Sequence, residues 1–181
     1  PEMELVVPGS AGEFDLLFNE VYANGKSTYF RLSERENAST QPVKFGKANL
    51  IQKGNQATIV VVGTMLKPVL EAVKGSDVTI LYYTTVSPFD AETLRENAVS
   101  SRIILVEPFY QGTLTSEVSA AMDRRPHTIS TIGVPKKFLS HYGKAEEHDQ
   151  ALGLTAQAIQ RKIEHIIDRP FSKTTDQELI Q

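Results

Sequence analysis

Uninterrupted apolar runs alternate along this chain with stretches of helical periodicity. Ala57 to Val62 (ATIVVV), Val78 to Tyr83 (VTILYY) and Arg102 to Glu107 (RIILVE) are short and rich in β-branched residues. Runs of that kind predict strands covered on both faces, as parallel sheets require. Met65 to Lys74 and Asp90 to Ala98 predict helices between them, and Leu114 to Met122 predicts a third that leads to a weaker strand at Thr128 to Ile132. Crossovers of this size are what parallel neighbours need. One connection differs. Gly46 to Gln52 is separated from Ala57 to Val62 only by Lys53-Gly54-Asn55-Gln56, too short for a crossover helix, and this predicts an antiparallel hairpin. The expected fold class is α/β: a three-layer αβα domain whose sheet is mostly parallel with one antiparallel strand.

Local end signals sharpen the helices. Asp90 is placed to cap the helix that follows it, with Glu92 in the first turn. Thr155 should cap a last helix, with Leu154 and Ile159 spaced as a hydrophobic staple. Ile159, Ile163 and Ile166 form its apolar stripe, and Pro170 ends it. Upstream, residues 1–33 predict a strand at Glu4 to Val7, a helix at Gly12 to Ala23 and a strand at Ser27 to Leu32. A lone βαβ unit of that size buries too little to stand alone, so it reads as the trailing edge of a larger sheet. The polar residues 34–43 read as a linker, 44–168 as the main domain and 169–181 as a flexible tail.

Composition narrows the classes of function. With 40% hydrophobic and 23% charged residues the chain is ordinary globular protein. A net charge of −3 with scattered Lys and Arg argues against nucleic-acid or anionic-membrane binding. The most apolar stretch, Ala57 to Leu66, is about half the roughly twenty residues that span a bilayer. There is no cysteine, which excludes disulfides, thiolate catalysis and Cys-based zinc sites. An intracellular, cytoplasmic protein is the expectation. The start at Pro1, without an initiator Met or signal-peptide core, is read as that of a fragment or processed product.

Candidate chemistry is sparse. The four histidines, His127, His141, His148 and His165, lack metal-ligand spacing, so no metal site is assigned; His141 and His148 fall in a loop-like stretch, Ser140 to Gln150. No Ser-His-Asp or GxSxG pattern occurs, so no catalytic residue is assigned. Gly63 and Thr64 sit at a strand-to-helix turn that could hold an anion or serve only as a tight connection, and Gln111-Gly112-Thr113 is a second such turn. Glu107 ends a strand where ligand crevices form, or it caps loop N–H groups. Arg31 and Arg35 flank a strand exit, where a guanidinium can clamp phosphate or instead pair with Glu34 or Glu36.

Taken in order, several segments resemble the C-terminal region of the transketolase family. They are Val78-Thr79-Ile80-Leu81 with Thr85 to Leu94, Arg102 to Glu107 with Gly112 and Glu117, Ile132 to Phe138, and Gly153-Leu154-Thr155-Ala156. Val7-Pro8-Gly9-Ser10 and Phe30-Arg31-Leu32-Ser33 resemble the end of that family's pyrimidine-binding domain. The resemblance implies a complete enzyme that uses thiamine diphosphate and Mg²⁺ to move a two-carbon ketol unit between sugar phosphates, as a homodimer. It implies that this chain contributes to dimer assembly, binds no cofactor itself, and needs a partner, the N-terminal thiamine-diphosphate-binding half from the same gene or a separate subunit. The family's Gly-Asp-Gly…Asn metal motif is absent here. By the same resemblance Arg35, with Arg31 as the alternate, contacts substrate phosphate. The same motifs occur in 2-oxoacid dehydrogenase beta subunits, where this domain docks the acyltransferase core, and in deoxyxylulose-phosphate synthases.

Overall fold

The computed structural model describes residues 3–137 and 143–169. The main sheet has five strands: β3 (Asn49–Gln52), β4 (Thr58–Val62), β5 (Thr79–Tyr83), β7 (Arg102–Tyr110) and β8 (Thr128–Val134), in the order β3-β5-β4-β7-β8. Strands β5, β4, β7 and β8 are parallel, and β3 runs antiparallel to β5. The alternation of side chains explains why their sequences are apolar throughout. Ile59, Val61, Ile80, Tyr82, Ile104 and Val106 point to one face, where α2 (Leu66–Ala72) and α6 (Ala156–Asp168) supply Leu66, Val69, Ile159 and Ile163. Val60, Val62, Leu81, Tyr83, Ile103 and Leu105 point to the other, against Leu94 of α3 (Ala91–Asn97) and Val118, Ala121 and Met122 of α4 (Thr115–Met122). The result is the expected three-layer αβα arrangement.

The antiparallel strand exists, but its expected partner is corrected. β3 pairs with β5, not with β4, so there is no hairpin across Lys53 to Gln56. That link crosses the start of β5 instead. Asn55 and Gln56 N–H groups both donate to Asp77 O, and Gly54 N donates to Thr79 Oγ1 at 3.1 Å. A Cβ on Gly54 would lie 2.3 Å from Val78 N, so only glycine passes that close. A short connection rules out a crossover helix, yet it does not oblige the two strands to be neighbours.

The smaller sheet also differs from expectation. β1 (Glu4–Val6), α1 (Ala11–Val21) and β2 (Thr28–Phe30) form the anticipated parallel βαβ unit. A third strand, β6 (Thr85–Ser87), joins it antiparallel to β1, giving the order β2-β1-β6. Leaving β5 at Tyr83, the chain thus passes from one sheet into the other within two residues. Residues 34–43 carry no helix or strand, but they are fastened: Asn37 is buried and its N–H donates to Gly9 O at 2.7 Å.

Both capping expectations hold. Asp90 accepts from Thr93 N, and Thr155 accepts from Ala158 N. From Ala145 onward the loop expected over Ser140 to Gln150 is a helix, α5 (Ala145–Leu152). None of its residues is fully buried, and its half-buried face, Ala145, His148, Asp149 and Leu152, mixes polar with apolar side chains; Glu147 accepts from Lys144 N at 2.9 Å, and Gly153 closes it in the left-handed conformation. His141, Phe138 and the tail from 170 to 181 lie outside the described residues. Among those described, no helix is long and apolar enough to cross a membrane.

Candidate functional site

In the main sheet, β4 connects through α2 to β5 on one side and β7 connects through α4 to β8 on the other. Their carboxyl ends therefore flank a topological switch point, where open α/β sheets form ligand crevices. A cleft of about 310 Å³ opens there, between Thr64 and Met65 after β4, Pro108 on β7, and Arg31, Arg35 and His148. The fold thus brings Arg31, Arg35, Thr64 and His148 together, although they are remote in sequence. His127 and His165 lie elsewhere: His127, just before β8, meets Arg125 O at 2.8 Å through Nδ1 and Ser119 Oγ of α4 at 3.3 Å through Nε2, and His165 stands in the last turn of α6.

The two arginines are held differently. Arg31 Nη2 donates to Pro108 O at 3.3 Å, and its guanidinium sits 5.7 Å from the Phe109 ring centroid. Arg35 does not pair with Glu34 or Glu36. Its Nη1 contacts the Asp149 carboxylate and its Nη2 donates to Ala145 O, so both partners come from α5. Glu36 is engaged with Ala11 N at 3.1 Å. Asp149 carried no sequence signal; it lies 114 residues from Arg35 on a helix without an apolar stripe.

The two glycine turns have internal uses. Gly63 has φ +53, and a Cβ there would lie 2.7 Å from Val7 Cγ1 and 2.9 Å from Val7 O. Its carbonyl accepts from Asn37 Nδ2, while Asn37 Oδ1 accepts from Lys67 N at 3.1 Å. At the second turn, fully buried Glu107 accepts from Gly112 N at 2.6 Å and Leu114 N at 2.9 Å. Burial pushes the Glu107 carboxyl above the usual range, against the lowering effect of those N–H groups. It caps its own loop, the alternative reading of this residue. Among the described residues there is no group of three or more His, Cys, Asp or Glu side chains that could hold a metal.

A second surface stands out beside the cleft. β2 is the edge of the small sheet, and parallel pairing directs the Thr28 and Phe30 backbone groups away from β1. Over that edge α1 presents Phe14, Phe18 and Tyr22 at i, i+4 and i+8, with neighbouring ring centroids 5.5 and 5.7 Å apart. Phe30 completes the cluster at 5.2 Å from Phe14. Tyr22 is 69% exposed and Phe18 43%. The four-residue spacing was visible in the sequence, but as a helix stripe it is indistinguishable from a core-facing one.

Residues 46–159 match the family described as "Transketolase, C-terminal domain", and the chain belongs to that family. An "uncharacterized 33.6 kDa protein in fasciation locus" of Rhodococcoides fascians is 34% identical over 168 residues, which cover 90% of this chain and 54% of that protein. A 1-deoxy-D-xylulose-5-phosphate synthase of Mannheimia succiniciproducens is 27% identical over 177 residues, covering 92% of this chain and 28% of the synthase. Among solved structures, a "split gene transketolase, inactive beta4 tetramer" superposes with a TM-score of 0.81 at 22% identity, over 92% of this chain and 58% of that one. Campylobacter jejuni transketolase superposes with a TM-score of 0.69 at 18% identity, over 91% of this chain and 26% of its own. The structural likenesses establish the shared fold. The chain spans about half the length of the Rhodococcoides relative and little more than a quarter of the synthase.

Proposed function

We propose that this chain is the assembly part of a transketolase-type enzyme, inactive alone and completed by a polypeptide that binds thiamine diphosphate and Mg²⁺. The complete enzyme, a homodimer of such assemblies, transfers a two-carbon ketol unit between sugar phosphates. Arg35 serves as the contact for a substrate phosphate, with Arg31 as the alternate. The observation that carries this reading is the open β2 edge with the aromatic row beside it, in a chain of this family. Unpaired backbone groups next to an exposed aromatic row suit addition of a further strand with its helix. In support, a structural neighbour is described as a split-gene transketolase with an inactive beta4 tetramer. Nothing in these 181 residues matches Gly-Asp-Gly.

Calorimetry of this chain with thiamine diphosphate and Mg²⁺ tests the reading. No binding is expected, and micromolar affinity would sink it. Ketol transfer should appear only when a polypeptide carrying the Gly-Asp-Gly…Asn motif is added. A second reading, a deoxyxylulose-phosphate synthase, is favoured by the matches to synthases. It is distinguished by consumption of pyruvate in the reconstituted mixture.

A further inference from the structure

We infer that Asp149 is an internal stand-in for the anionic ligand of Arg35, and that it sets how tightly the cleft takes a phosphomonoester dianion. The inference rests on the reading of Arg35 as the phosphate contact. Three observations point to it. Arg35 reaches past the acidic residues beside it in sequence to meet a carboxylate and a carbonyl, Asp149 and Ala145, on α5. Two donors of one guanidinium facing two oxygens is the arrangement in which arginine receives phosphate. The contact lies on the cleft, among Arg31, His148 and Glu34.

Nor does α5 depend on Asp149 for its place. Lys162 Nζ donates to Gly153 O at 2.9 Å, and Leu152 and Leu154 pack on the core next to Ile159. The Asp149 side chain already keeps 24% of its surface in solvent. It can turn outward and hydrate while the helix stays docked. An incoming dianion then replaces one carboxylate on Arg35 and meets Arg31 and His148 in the same cleft. A monoanion replaces like with like and has less to win. The carboxylate thereby lowers the apparent affinity for every anion by the fraction of time Arg35 is released, so that only an anion with enough intrinsic affinity for the cleft is retained.

The test is calorimetric titration of the 181-residue chain with inorganic phosphate and, separately, methyl phosphate and acetate, at constant ionic strength. It compares the unaltered protein with Asp149→Asn, Arg35→Gln and the double variant. Asp149→Ser is a second probe should the amide variant lose its helical circular dichroism. Removal of the competing charge is expected to tighten phosphate and acetate alike, by about tenfold, both gains vanishing when Arg35 is also replaced. Tighter methyl phosphate than inorganic phosphate assigns the gain to an ester; equal gains assign it to the phosphate group alone, and either supports the role of Asp149. Equal phosphate affinity with and without the Asp149 charge, lost in Arg35→Gln, overturns the inference and leaves Arg35 as the phosphate contact. Phosphate affinity indifferent to Arg35 overturns both.

Discussion

Asp90 shows how one carboxylate can join elements that the chain order keeps apart. It accepts from Thr93 N at 3.1 Å and Thr93 Oγ1 at 2.6 Å at the start of α3, and from Ala48 N at 3.0 Å just before β3. Burial alone would raise its pKa, but these bonds, with Lys47 nearby, hold it below the ordinary value of 3.8. A depressed carboxyl stabilises the fold above the unfolded value and loses that contribution as pH falls through the folded one. Asp90→Ala should therefore cost about 1–2 kcal/mol at neutral pH, read from urea midpoints. The gap to the unaltered protein should narrow as the pH is lowered below 3.8. The capping role was legible in Ser87-Pro88-Phe89-Asp90-Ala91-Glu92, because a cap is decided within four residues. The bond to Ala48 was not, since it spans 42 positions.

At the scale of elements, the turn from β4 into α2 is constrained by its neighbour, the Val7 backbone. Gly63 combines a positive φ with a close approach to the Val7 backbone, which cannot retreat as a side-chain tip would. Gly75 also has a positive φ, +83, but a Cβ there would meet nothing within 4 Å. Gly63→Ala is thus expected to destabilise by about 1–3 kcal/mol, and Gly75→Ala by visibly less. Thermal denaturation of the two variants side by side checks the order. Equal losses would mean that the close approach to Val7 adds nothing. The helices divide along similar lines. The α6 stripe of Ile159 and Ile163 is buried against the sheet and was readable from its spacing. The half-buried face of α5 is Ala145, His148, Asp149 and Leu152, which mixes polar with apolar side chains, so periodicity had no apolar stripe to report.

For the whole molecule, the question is whether the two sheets behave as one body. Fully buried Glu13 accepts from Tyr82 Oη at 2.6 Å, Gly9 N at 2.7 Å and Gln41 N at 3.1 Å, so it ties α1 and the 34–43 strap to β5. Asn37 extends the network to Tyr82 and Gly63. Tyr82→Phe should lose about 1–3 kcal/mol while far-ultraviolet and near-ultraviolet transitions in urea still coincide. A separate early transition for the small sheet would contradict a single cooperative unit. The exposed aromatic row carries a different expectation. Phe18→Lys with Tyr22→Lys should cost about 1–2 kcal/mol through lost ring contacts and leave the chain folded, as read by circular dichroism. The same pair should abolish reconstitution with the cofactor-binding polypeptide, followed by gel filtration of the mixture.

Sequence by itself determined the strands buried on both faces, the helices between them, the caps at Asp90 and Thr155, and the family. Burial on two faces writes continuous apolar runs, and caps depend on neighbours only a few residues away. Tertiary structure alone decided that β3 pairs with β5, that β6 crosses into the small sheet, and that α5 delivers Asp149 to Arg35. A three-residue strand has no measurable period, and a strand's partner is chosen by contacts between distant segments. For the same reason Arg31, Arg35, Thr64 and His148 could be named one by one in the sequence, and only the fold made them neighbours and added Asp149.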